Sequence, residues 1–404
     1  MAGPEDRDSL SKQKRGFKRK LSCDSESGSS SISSSVNSTD NASSSCSDHS
    51  EKLPIRTCDW KQTSLDVIRM YPEFSHDSPC EILKRSLKRL WGEEMYQHYS
   101  KEIKSSRGNL YFQEIKSFIL ELSDCLLNRS HIDNVTITSI YDMKASIREL
   151  MKRKNINITA EALELWGKDW RCLMKSAAVR FGIQLEHMLS SKLKTDRYKE
   201  GMFQTLFMYF LDMCNLTAFG FTNIGSKNVQ IKRAQVTSIP DILIMDSRIH
   251  CIAEEEVTAV VEVKKDYGKQ DVTIANLTRC GKRSPGYYAD ECRNVSSDLI
   301  CQHGGDLLAY LPDSIFGSKG IFGMIVQDTE VTVTFLDAES GYFEAVQTLF
   351  EEKRCSSKIN LSGEYNFLSK DDRRELVGFL AELAFLQRLK KIDTHMELFQ
   401  SCSM

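Results

Sequence analysis

Apolar residues along this chain first change their spacing near residue 215. Before that point they recur every three or four positions, the spacing of a buried helix face. Ser78, Pro79 and Glu81 form a capping-box start with proline at the first helical position. The helix this predicts puts Leu83, Leu87, Leu90 and Trp91 on one side and Lys84, Arg85, Lys88 and Arg89 on another. A second apolar helix is predicted over 111–127. A third turns Met143, Ile147, Leu150 and Met151 inward and carries Lys144, Arg148 and Lys152 outside, read as a solvated face ahead of a phosphate track. Over 159–177, Leu163, Trp166, Trp170 and Leu173 share a stripe. Beside leucines at helical spacing these tryptophans read as core rather than as base-stacking platforms. The stretch 200–211 is apolar on nearly all sides and reads as a buried helix.

Beyond residue 215 short runs rich in β-branched and aromatic residues take over. Strands are predicted over 217–221, 229–236, 242–245, 249–253 and 257–263. The polar stretch 266–294, with Gly281, Pro285 and Gly286, reads as a loop or insertion. Helical spacing returns over 298–311, and a hairpin follows from 320–326 and 331–336. Two helices, over 341–353 and from Ser369 onward, close the chain. No internal repeat is present. The order predicts an α/β fold with a mixed sheet flanked by helices, preceded by a mainly helical region. The expected divisions are a tail over 1–52, a helical region over 53–180, a core over 181–340 and helices over 341–404 packing on that core.

With 404 residues, 41% of them apolar, the chain can bury a sizeable core. No run of eighteen apolar residues suggests a membrane span, and the polar N-terminus lacks the apolar stretch of a secretory signal. The 13 cysteines are scattered and read as reduced thiols that pack as small hydrophobes. A net charge of −2 is low for a dedicated nucleic-acid binder, so any such contact must come from local patches. Serine makes up half of residues 22–50, which leaves the tail little to bury and predicts disorder. Ahead of the serines stand Lys12, Lys14, Arg15, Lys18, Arg19 and Lys20. They read either as a nuclear localisation signal or nucleic-acid arm, or as a solvated basic tail. Phosphorylation of the serines would offset their charge.

Chemistry concentrates between Ser238 and Asp266. Side chains alternate along the strand predicted over 257–263, so Glu262 and Lys264 share one face and Val261 and Val263 the other. A strand this apolar is buried, and an unpaired charge there costs several kcal/mol. The charges must therefore pair or hold a metal. Pro240 and Asp241 open the neighbouring strand, where a proline fits, and pairing of the two strands brings Asp241 to Glu262. Two hard oxygen donors with open positions suit Mg²⁺ or Mn²⁺. Zinc would prefer His or Cys. A zinc site from Cys280, Cys292, Cys301 and His303 lacks the close pairing of a knuckle. No P-loop, GxGxxG or G-x-S-x-G element is present.

Pro240-Asp241 followed by Glu262-Val263-Lys264 resembles the signature of the PD-(D/E)XK phosphodiesterase superfamily, the restriction-endonuclease-like nucleases. The order helix, strands, helix, strands over about 180–340 matches the family's order. The resemblance implies a Mg²⁺- or Mn²⁺-dependent nuclease acting on nucleic acid, DNA ahead of RNA; the basic cluster over 12–20 sets the expected compartment as the nucleus, with the cytoplasm as the alternative. It implies that Asp241 and Glu262 bind the metal, with the Val263 carbonyl as a further ligand. Lys264 would orient or activate the attacking water. Glu200 is the candidate for a glutamate on the first helix, and Gln302 for a glutamine on the helix after the lysine; Asp306 shares the face of Gln302. The long insertion after Lys264 departs from a minimal core. The alternatives are a catalytically inactive nuclease fold that binds nucleic acid or scaffolds partners through its helical half, and a buried Glu–Lys pair in an unrelated α/β protein.

Overall fold

Among the described residues nine strands form, where the short β-branched runs lie and at two places where they do not. In chain order they are β1 (Met70–Phe74), β2 (Ala218–Gly220), β3 (Lys227–Ile231), β4 (Ala234–Ser238), β5 (Ile242–Met245), β6 (Val257–Lys264), β7 (Gly320–Gln327), β8 (Glu330–Ala338) and β9 (Ser357–Asn366). The structure is a computed structural model and describes residues 53–401 except 105, 121, 123–125, 128–129, 153–169, 196, 233, 246–255, 266–294 and 349–354. The expected tail with its basic cluster, the strand expected over 249–253, the insertion over 266–294, Leu163, Trp166, Cys280 and Cys292 lie outside the described residues.

Seven strands make one mixed sheet in the order β1-β9-β8-β7-β6-β5-β2. Pairs β6–β7 and β1–β9 are parallel, and the remaining neighbours are antiparallel. Parallel β6 and β7 are joined by a crossover that contains helix α7 (Ser297–Tyr310). Among the described residues the other α-helices of six or more residues are α1 (Gln62–Val67), α2 (Pro79–Lys104), α3 (Ser106–Leu120), α4 (Ile137–Lys152), α5 (Trp170–Thr195), α6 (Glu200–Met213), α8 (Tyr342–Gln347) and α9 (Lys370–Ser401). The fold is thus mixed α/β, a seven-stranded mixed sheet flanked by helices.

The sheet buries both faces. Ala259, Val261 and Val263 of β6 join Phe322 and Met324 of β7 in a core shared with α2, α3, α4, α5, α6 and α9. Val260 points the other way and joins Ile321 and Ile325 in a second core beneath α7. The two-residue period of β6 therefore turns Glu262 toward the α7 side. The helices carry the expected devices. Ser78 and Glu81 close a capping box at the start of α2, worth about 1 kcal/mol. Gly92, at φ 80°, breaks the helical path inside α2.

Several expectations are corrected. The run 229–236 is two strands, β3 and β4, which pair as a separate hairpin with Ile231 opposite Ala234 and Lys232 at φ 51°. Its apolar positions switch parity, from Val229 and Ile231 to Val236, and one strand cannot do that. The last region adds β9 to the sheet and is not helical throughout, while the helix expected over 341–353 shortens to α8. The region before 180 contributes β1. The helix expected over 111–127 ends, as α3, at Leu120. Met151 and Leu173 face solvent, 50% and 60% exposed. The buried stripe of α5 runs Met174, Ala177, Ala178, Phe181, Leu185, Met188 and leaves Leu173 to one side.

Candidate active site

The register of β5 on β6 sets the site. Ile242 lies opposite Val261, so the next step of the antiparallel pair puts Asp241 opposite Glu262. Asp241 stands just ahead of β5, where its side chain replaces a ladder partner: Oδ2 accepts the Val263 N–H at 2.8 Å. Its carbonyl accepts from the Gln204 amide of α6. Glu262 is 1% exposed. Its Oε1 lies 2.6 Å from Lys264 Nζ and accepts from the Gln302 amide of α7. Lys264 Nζ also lies 3.8 Å from Asp241 Oδ2 and 3.7 Å from Glu200 Oε1 of α6. The second Glu200 oxygen takes a long bond, 3.5 Å, from the Lys265 N–H.

Glu200, Asp241, Glu262, Lys264 and Gln302 thus form one contact group from two helices, strand β6 and the residue that leads into β5. Val263 gives its N–H to Asp241 and buries its side chain on the opposite face. Three residues were not singled out from the sequence. Gln204 follows Glu200 by one helical turn, a spacing that marks a shared face. Ser238 and Thr57 each donate a hydroxyl to Asp306 Oδ1 at 2.7 Å. Ser238 precedes Asp241 by three positions, but nothing local to Thr57 points to a partner 249 residues away.

The group is short of positive charge. Burial raises the Glu262 pKa well above the usual carboxylate range; Asp241 and Asp306 push it further, against the pull of Lys264. Burial raises Asp241 as well, opposed by Lys264 and the Val263 N–H. Asp306 is pushed up to about 6 by burial, against its two hydroxyl bonds. Burial disfavours the charged Lys264, but Glu262, Asp241 and Glu200 outweigh it and keep the ammonium protonated. Glu262 Oε2 and Asp306 Oδ2 are buried with no hydrogen-bond partner among the described residues. Hard, partly orphaned oxygens of this kind fit a divalent ion held by Asp241 and Glu262 with water in the remaining positions. No group of three or more His, Cys, Asp or Glu is arranged to hold a metal among the described residues. It is the Lys264 ammonium that lies among the carboxylates.

Several of the remaining sequence candidates make contacts within the chain. His303 is buried, bonds Thr334 at 2.8 Å and has its pKa lowered to about 3 by burial, as a neutral core histidine. On the basic face of α2, Lys88 pairs with Glu93, Arg85 with Asp77 and Arg89 with Asp337. Lys144 of α4 lies 3.4 Å from Glu186. Among the described residues no helix is long and apolar enough to cross a membrane. Comparisons with protein-family models, curated proteins and solved structures returned no match.

Proposed function

We propose that this chain is a divalent-cation-dependent phosphodiesterase of the PD-(D/E)XK type, with a restriction-endonuclease-like core that hydrolyses nucleic acid, DNA ahead of RNA. The observation that carries this reading is the convergence of Asp241, Glu262 and Lys264 at paired strands, with Gln302 from the crossover helix on Glu262. Asp241 and Glu262 would hold Mg²⁺ or Mn²⁺, with the Val263 carbonyl as a further donor. Held by these residues, a divalent ion would supply polarisation of the scissile phosphate and a lowered pKa for a coordinated water. The Gln302 amide fixes the rotation of the Glu262 carboxylate. Lys264, whose ammonium lies beside Glu262 and Asp241, would serve as a hydrogen-bond donor and positive charge toward the attacking water and the phosphate oxygens. The basic cluster of residues 12–20 supports a nuclear site of action.

The test is cleavage of plasmid DNA and single-stranded oligonucleotides of DNA and RNA in Mg²⁺. Cleavage is expected from the wild type and lost in Asp241→Ala and in Lys264→Ala. Equal cleavage by both variants marks a contaminating nuclease and ends the assignment. The ion pairs that occupy Arg85, Lys88 and Arg89 on α2 and Lys144 on α4, with the near-neutral net charge, favour a second reading, a nuclease fold kept as a scaffold. Wild type that binds nucleic acid in Mg²⁺ without cutting it would support that reading.

A further inference from the structure

Asp306 lies one helical turn beyond Gln302 on α7, and it is fully buried. A buried carboxylate in a helix interior is costly unless it ties something down. Here a single oxygen, Oδ1, accepts two hydroxyls from two distant segments. Ser238 ends β4 and leads through Ile239 and Pro240 into Asp241. Thr57 begins the turn Thr57–Asp59 that precedes α1. Thr57, Ser238 and Asp306 are all buried.

The turn is seated closely. A Cβ on Gly305 would come within 2.8 Å of Thr57 Cγ2 and 2.9 Å of Trp60 Cε3, so only glycine at 305 admits this approach. Trp60 is fully buried there. The Thr237 N–H donates to the Ile55 carbonyl at 2.7 Å, which extends the seating along β4. Lys61 pairs with Asp298 at the start of α7.

We propose that Asp306 is a positioning residue of the site, and that the segment around Thr57 is part of the catalytic core although every candidate catalytic residue lies beyond 199. Through Ser238, Asp306 fixes the segment that delivers Asp241. Through Thr57, it fixes the rotation of α7, which sets Gln302 on Glu262. This inference rests on the proposed activity for its kinetic consequence and on the hydrogen-bond geometry alone for its structural one.

The experiment compares Asp306→Ala, Asp306→Asn, Thr57→Val and the double variant Thr57→Val/Ser238→Ala as full chains, each checked for folding by circular dichroism. Asparagine keeps the Oδ1 acceptor and loses the charge. In Mg²⁺, kcat is expected to fall about ten- to a hundredfold in Asp306→Ala and in the double variant, the usual cost of removing a supporting contact. KM for the nucleic acid should stay within about twofold, and Asp306→Asn should recover most of the lost rate. Unchanged kcat in the double variant overturns the proposal, as does an Asp306→Asn as slow as Asp306→Ala. Should Asp306→Ala fail to fold, Thr57→Val and the double variant carry the same comparison. Should wild type show no cleavage, the proposed activity falls but the positioning claim is still decided. Exchange of the Val263 amide, bonded to Asp241, is then expected to quicken about tenfold or more in the double variant, as that bond opens more often. Unchanged exchange overturns it.

Discussion

Replacing Lys264 by methionine should destabilise the ion-free protein and make it more responsive to divalent ions. Lys264 Nζ is the cation nearest Glu262, at 2.6 Å, and it also faces Asp241 and Glu200. Methionine keeps much of the length and removes the charge. Removing one partner of a buried ion pair costs about 3–5 kcal/mol, because the other charge stays buried. Glu262 is 1% exposed and Lys264 about a fifth exposed, and the Gln302 amide still donates to Glu262. Proton uptake by Glu262 offsets part of the loss. The expected loss therefore sits at the low end, about 3 kcal/mol at pH 7 in chelator. An ion at a hundred times its dissociation constant returns about 2.7 kcal/mol by mass action. In wild type the same ion must first displace the ammonium, so its gain is smaller. Urea unfolding of both proteins, with EDTA and with Mn²⁺, measures all four values. A Lys264→Met protein as stable as wild type, or one that gains no more from Mn²⁺ than wild type does, would refute the claim that these carboxylates share one cation.

Three further outcomes follow from the same geometry. Asp306 holds its proton to about pH 6 when folded, against an ordinary value of 3.8. Its stabilising contribution is complete below pH 4 and is lost as pH rises through 6, about 3 kcal/mol for two pKa units. Asp306→Asn should therefore gain on wild type by about that amount between pH 4 and pH 7 in urea midpoints, and parallel pH–stability curves would contradict this. Gly305→Ala should cost about 1–3 kcal/mol, because its methyl group meets Thr57 and Trp60; a neutral result in thermal unfolding would show that the Thr57 turn gives way freely. Ser78→Ala should lower stability by about 1 kcal/mol through loss of the Glu81 N–H acceptor at the start of α2; the same urea titration reads it.

The site was legible because its cost was legible. Glu262 and Lys264 share a strand face amid valines, and the strand period alone places them together. The pairing of β5 with β6 then brings Asp241 within reach. Gln302 and Glu200 came from the family resemblance, and both make contact with the group. Other features left weaker traces. β9 has one β-branched residue, Ile359, and a glycine, so its strand character comes from pairing with β8 and β1 rather than from propensity. Pro72 argues against a strand at β1, and the structure tolerates it because β1 is a sheet edge. The hairpin within 227–238 was readable in the parity switch of its apolar residues. The Thr57–Asp306 bond joins residues with no local pattern in common, and only the folded chain reveals it.

The account stands most directly on whether Asp241 and Glu262 hold a divalent ion. Isothermal titration of Mn²⁺ into wild type, Asp241→Asn and Glu262→Gln at neutral pH measures this. The account predicts saturable binding to wild type, with proton release from the raised carboxyls, that is lost or weakened at least tenfold in each variant. Wild type without binding, or variants that bind as well as wild type, would contradict it.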